Sequence, residues 1–148
     1  MAYDVNQFRQ VLRNKGVEII EFTAGEEDFY RQEWFNRVVP EHKQQKARES
    51  HCFDSEDSCG FLWHVFSYDI LDCVKGSEAK HAFDSVAKQE AVLLANLGDI
   101  ASCRLKNLAN IKAEYFDILE DVIVTDADFA WTYAKTHEPA CGPYFCNK

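Results

Sequence analysis

The stretch DVIVTDADFAWTYAKTH, residues 121–137, is where the class of fold is decided. Val122, Ile123 and Val124 are β-branched, and the residues from Asp128 to His137 alternate large and small side chains with the period of two that a strand imposes. Asp126-Ala127 between them reads as a two-residue hairpin turn. Pairing across that turn predicts Val124 opposite Phe129 and Val122 opposite Trp131. One face of the second strand would then carry Phe129, Trp131, Tyr133, Lys135 and His137, and the other Ala130, Thr132, Ala134 and Thr136.

Working outward, the rest of the chain mixes helices with more strands of this kind. Residues 4–15 have a capping-box arrangement in Asp4 and Gln7 and an apolar stripe of Val5, Phe8 and Leu12, and Gly16 supplies the stop. A strand over 17–22 follows. Thr23 and Glu26 form a second capping box before a helix in which Tyr30, Trp34, Phe35 and Val38 recur, ended by Pro40. Glu41 to Ser50 is polar except for Ala47 and reads as an exposed helical turn or two, and 51–60 as an acidic loop. The run from Phe61 to Tyr68 is nearly all apolar or aromatic and of strand length, which predicts the central strand of the sheet with His64 on the face of Leu62, Phe66 and Tyr68. After a Lys75-Gly76 turn, Ser77 is placed to cap a helix lined by Ala79, Ala82, Phe83 and Val86. Strands over 91–97 and 100–105 pair about a Gly98-Asp99 turn, and 114–120 suits a short helix. The expected architecture is α+β: one domain over 1–148, with a largely antiparallel mixed sheet and three to four helices packed on it as a single pair of layers.

Hydrophobic residues make up 47% of the 148, enough for a packed core, so disorder is excluded. The formal charge is −9, from 16 basic and 25 acidic residues, which repels phosphate backbones and anionic membrane surfaces. Neither nucleic acid nor a membrane is an expected partner. Residues 114–148 carry seven of the acids against two lysines, a net of −5, so a charged partner is expected to be a basic protein. The N-terminus lacks a basic segment followed by a long apolar run, which points to the cytoplasm.

The residues with chemistry cluster at the C-terminal end. His137 is in phase with the aromatics and is followed by Glu138 and by Cys141-Gly142-Pro143-Tyr144-Phe145-Cys146. Four readings fit. His137 could draw a proton from Cys141, with Glu138 or Asp128 orienting the ring. His137, Cys141 and Cys146 could ligate zinc, as could Cys52, Cys59 and His64, although neither set contains a tight C-x2-C pair. Cys141 and Cys146 could form a disulfide. Alternatively His64, His137 and Tyr144 only pack and cap. No phosphate-binding glycine loop, EF-hand or H-E-x-x-H appears, and no cofactor is expected.

Three stretches taken together resemble a known family: LWHVFS at 62–67, EAKHAFD at 78–84, and DFAWTY at 128–133 running through Thr136-His137-Glu138 to CGPYF at 141–145. The family is one of short, uncharacterised bacterial proteins, a domain of unknown function, and the resemblance covers residues 25–146. It implies a cytoplasmic bacterial protein without an assigned activity. It also implies that Trp63, His64, Trp131, Thr132, His137, Glu138, Gly142, Pro143 and Tyr144 are signature positions. Hence the leading expectation is a non-enzymatic interaction domain, immunity-like in one version. The alternatives are a small enzyme or metal-binding protein using His137 with Cys141 or Cys146, and a structural subunit of a homo-oligomer.

Overall fold

Three strands buried on both faces organise the molecule: Glu90–Ala95, Val122–Asp126 and Trp131–Lys135. A computed structural model describes residues 5–49, 62–95, 100–137 and 142–147. In chain order its elements are α1 (Val5–Asn14), β1 (Glu18–Glu21), α2 (Glu26–Val38), α3 (Glu41–Glu49), α4 (His64–Ser67), β2 (Val74–Lys75), α5 (Ser77–Ser85), β3 (Glu90–Ala95) and β4 (Cys103–Lys106). A 3-10 turn (Ala113–Phe116), β5 (Val122–Asp126), β6 (Trp131–Lys135) and β7 (Tyr144–Asn147) complete it. The strands form one antiparallel sheet in the order β1-β4-β3-β5-β6-β7-β2. The protein is α+β, as expected; β3 and β4 pair antiparallel, over shorter stretches than the 91–97 and 100–105 expected and with Leu93 opposite Cys103, one residue from the register of a Gly98-Asp99 turn. Asp4, the acidic loop 51–60 and the Gly98-Asp99 turn lie outside the described residues.

Helices cover both faces of the sheet, so the expected pair of layers becomes three. The reason is that β3, β5 and β6 are apolar on both sides. Leu93, Val122, Val124, Trp131 and Tyr133 point into one cluster with Phe8 and Leu12 of α1, Phe83 of α5 and Phe116. Val92, Leu94, Ile123 and Ala134 point into the other, with Trp34 and Phe35 of α2, Ala47 of α3 and Phe66 of α4. Two local devices fix how helices enter these layers. Gly16, at φ 86°, ends α1: its N–H reaches the Arg13 carbonyl while Val17 N–H reaches that of Leu12, and Leu12 and Val17 pack in the same cluster. At α2, Glu26 Oε1 accepts from both the N–H and the hydroxyl of Thr23, at 2.6 and 2.8 Å. The expected capping box is not formed, because Gly25 takes the N-cap position and Glu26 is the first residue of α2; the contact instead fastens the turn that leads into the helix.

Two strand assignments are corrected. The run 61–68 is not a central strand: β5 holds that place, and His64–Ser67 is the short helix α4. Leu62, Trp63, Val65 and Phe66 are all buried, whereas His64, Ser67 and Tyr68 are not, and those three recur at helical spacing. A short apolar run does not distinguish a buried strand from a buried helix, and here the less apolar positions carry the period. The hairpin register is shifted as well. Val122 stands opposite Lys135 and Val124 opposite Tyr133, so the connection is Ala127–Ala130 rather than two residues. Asp126 Oδ2 accepts from the N–H groups of Asp128 and Ala130, and Phe129 takes φ 62°, which together make the longer loop. Because the shift is even, Trp131 and Tyr133 keep the face assigned to them. Phe129 does not: it turns into the opposite cluster beneath Arg37, whose guanidinium lies 5.2 Å from its ring centre.

Between β5, β6 and α2 sits a small polar network inside the second cluster. Trp34 Nε1 donates to Thr132 Oγ1 at 2.9 Å, Thr132 and Thr125 hydroxyls meet at 3.0 Å, and Thr125 Oγ1 donates to the Trp131 carbonyl. Trp34 is thereby held in one orientation over the sheet. Among the described residues no helix is long and apolar enough to cross a membrane.

Candidate functional site

His137 follows β6 by two residues and meets a partner that sequence spacing did not indicate. Asp121, just before β5 and fully buried, accepts from the His137 backbone N–H at 2.9 Å through Oδ1 and contacts ring Nδ1 at 2.5 Å through Oδ2. An ionised carboxylate only accepts, so with Asp121 ionised this contact places a proton on Nδ1 and fixes the orientation of the ring. The expected orienting groups were Glu138 and Asp128. Glu138 lies outside the described residues, and Asp128 N–H is tied into the hairpin loop by Asp126. Correct register would have revealed Asp121: with the two-residue turn it falls opposite Thr132, in mid-strand, whereas the observed pairing carries it to the end of β6, where His137 begins.

A cleft of about 220 Å³ opens beside this pair, lined by Lys80, Asp117, Lys135, Thr136, His137, Gly142 and Pro143. Lys80 of α5 reaches Asp117 at 2.7 Å, and Lys135 Nζ donates to the Thr136 carbonyl at 2.9 Å. Three side chains able to carry positive charge therefore border one opening in an acidic protein. Gly142 closes it at φ 100°, where a Cβ would come within 3.1 Å of the Tyr144 ring, and its bond to Pro143 is cis. Only glycine suits that position.

The other expected site residues are distributed unevenly. His64 comes near: its ring stacks on Tyr68 at 4.7 Å, its Nδ1 meets Ser67 Oγ at 2.9 Å, and Trp63 lies against it at 4.0 Å. Trp63 also meets His137 edge-on at 6.2 Å, so the two histidines flank one buried indole. Tyr144 is buried and stacks on Phe66, with Lys75 over its ring. Cys146 is half-buried on β7, packed on the second cluster. Cys141, Cys52 and Cys59 lie outside the described residues. Among the described residues no three His, Cys, Asp or Glu side chains gather in a way that could hold a metal ion.

A second surface stands out on α2. Phe29 is 57% exposed, the most exposed large apolar side chain described. Its ring meets Tyr30 edge-on at 5.3 Å, and Tyr30 stacks on Phe22, which fixes the base of the projecting ring. Glu26 and Glu33, three residues before and four after, share its helix face, and Asp28 adjoins it. Glu27 reaches the buried Arg31, and Arg31 in turn donates to the Ala95 carbonyl. Glu26 Oε2 lies 3.9 Å from Arg104, and the Thr23 N–H and hydroxyl hold the Glu26 carboxyl below its ordinary range. The acidic C-terminal quarter likewise uses Asp121, Asp126 and Asp117 in contacts within the fold.

The model of a family described as a domain of unknown function, DUF4275, matches residues 6–145, and the chain belongs to that family. No curated protein and no solved structure matches it.

Proposed function

We propose that this member of the DUF4275 family is a cytoplasmic protein-interaction domain that binds a basic protein partner, and that Phe29 is the anchor of the interface. The supporting observation is the exposed aromatic ring flanked along its own helix face by Glu26 and Glu33. Such a ring contributes most when it enters an apolar pocket, while the surrounding acids favour a partner rich in Lys and Arg and speed its encounter. The formal charge of −9 acts in the same direction at longer range. In an immunity-like version the partner is a basic toxin whose active surface is covered.

Immobilised protein should retain a specific basic partner from cells that carry this gene, with affinity falling as salt rises. Phe29→Ala should weaken the purified complex by about 2 kcal/mol, roughly 30-fold, while leaving the unfolding transition in place. Equal affinity of Phe29→Ala and Glu33→Lys with the unmodified chain would remove this surface from the interface. Failure to capture any specific partner would count against the interaction role itself.

One observation favours a second reading, a small enzyme that uses His137 with the thiol of Cys141; Cys146, expected as the alternative thiol, stands opposite Thr132, five residues along β6 from His137. The buried Asp121 orients the imidazole at the mouth of a cleft, the arrangement in which a histidine serves as a base. On that reading a thiol-selective reagent should modify one cysteine much faster than an ordinary thiol, and His137→Ala should remove the excess rate. Uniform thiol reactivity, unchanged by His137→Ala, would exclude it.

A further inference from the structure

We propose that Cys73 and Cys146 form a cross-strand dithiol pair, a site of reversible disulfide formation that joins the edge strand β2 to β7. Strand register brings the two together. Val74 pairs with Phe145 and Lys75 with Tyr144, and Gly76 N–H donates to the Pro143 carbonyl at 2.9 Å. One step further in the same antiparallel register sets Cys73 opposite Cys146.

Antiparallel ladders alternate between hydrogen-bonded and non-hydrogen-bonded pairs. Gly76 and Pro143 occupy a hydrogen-bonded position, so Val74 and Phe145 do too, and Cys73 and Cys146 fall on a non-hydrogen-bonded one. At such positions the Cα atoms lie about 4.5 Å apart with the side chains close, inside the roughly 4.4–6.8 Å span that a disulfide needs. Both cysteines pack on the same cluster, the one containing Phe66 and Tyr144, so both point to one face of the sheet. Both are also only half-buried, unlike Cys103.

Their electrostatics agree with this proximity. Burial pushes the Cys73 thiol up; Lys75 pulls it down, and Cys146, Asp69 and Asp72 add upward pushes. The thiol is therefore mostly protonated at neutral pH, and mildly alkaline solution suits the reaction.

The chemistry is thiol–disulfide exchange with a small-molecule disulfide as oxidant. The Cys73 thiolate attacks one sulfur of that molecule, breaking its S–S bond and releasing one half as a thiolate. Cys146, losing its proton to solvent, then attacks the Cys73 sulfur and releases the second half. Two protein thiols become one disulfide, and the small disulfide is reduced to two thiols.

The physical consequence lies at the sheet's edge. β2 is only two residues long and held on one side, by β7. A covalent bond there would hold it in register.

The test uses the full chain treated with glutathione disulfide, then trypsin digestion without reductant and fragmentation of the linked peptides. The expected result is the loss of two titratable thiols and a peptide joining Cys73 to Cys146. Reductant should restore both thiols, and the Gly76 amide should exchange more slowly in the oxidised form. Cys73→Ser should abolish the linked peptide while Cys103→Ser leaves it. A bond from Cys141 to Cys146, or glutathione retained on Cys73 with no internal bond, would overturn the proposal.

Discussion

Phe83→Ala should cost about 3–5 kcal/mol, a large part of the roughly 5–15 kcal/mol that holds a domain of this size together. Phe83 is fully buried on α5, and its ring is the meeting point of three others: Phe116 at 5.7 Å, Trp131 at 5.5 Å and Tyr133 at 4.9 Å. Lys88 adds to this from the other side, with Nζ 4.7 Å from the ring centre while donating to the Phe83 and Val86 carbonyls. Truncation would open a cavity walled by stiff aromatic rings, which cannot close in by changing rotamer as aliphatic chains do. α5 would lose its main hold on the sheet, and the ammonium group its aromatic face. Urea unfolding monitored by tryptophan fluorescence measures the effect. Phe83→Leu, which keeps most of the volume, should cost clearly less. A loss below about 1 kcal/mol for the alanine variant would show that the first cluster does not depend on this ring.

Alkaline solution should unfold the protein through two buried acids. Burial pushes the Cys103 thiol from its ordinary 9.0 up to about 12, with Arg9 pulling down and Glu21 pushing up by smaller amounts. The phenol of Tyr133 is pushed above its ordinary 10.0, again by burial first and then by Asp117 and Asp84. An unfolded chain releases the Cys103 proton near 9.0, whereas the folded chain keeps it until about 12. Across that window the unfolded state binds fewer protons, so stability falls as pH rises, by about 1.4 kcal/mol per pH unit for each such group. Tyr133 joins from 10.0 upward. Lys88 acts in the opposite direction: burial holds its ammonium below the ordinary 10.5, against an upward pull from Asp84. Between its folded value and 10.5 the unfolded chain holds more protons there, which offsets part of the loss. Urea midpoints should decline steadily above pH 9, and Cys103→Ala should flatten the first part of that decline. A midpoint that stays level up to about pH 11 would contradict the burial of both groups.

The elements were legible where one periodicity ruled. Leu12 and Val17 around Gly16, Trp34 and Phe35 on α2, and the alternation of Trp131 and Tyr133 all follow from spacings set by the element's own backbone period, although their contacts lie far away in sequence. The 61–68 run was not legible, because apolar residues at almost every position obscure the period. The candidate site was legible only in part. His137 stood out by type and phase, and His64 by type, but nothing local connected Asp121 to His137, and that link depends on a hairpin loop longer by two residues than the turn chemistry suggested. Phe29 on its acidic helix face carried no signal at all, since burial of a phenylalanine is the ordinary expectation.

By itself, the sequence determined the α+β class, the antiparallel hairpins, most helix limits and the acidic surplus, because each follows from composition or from side chains a few positions apart. The tertiary structure alone decided the covering of both sheet faces, the setting of Asp121 against His137, the approach of Cys73 to Cys146 and the exposure of Phe29. Those depend on which distant segments pair and in what register. Many pairings have nearly equal local merit, and only the mutual packing of the whole core selects among them.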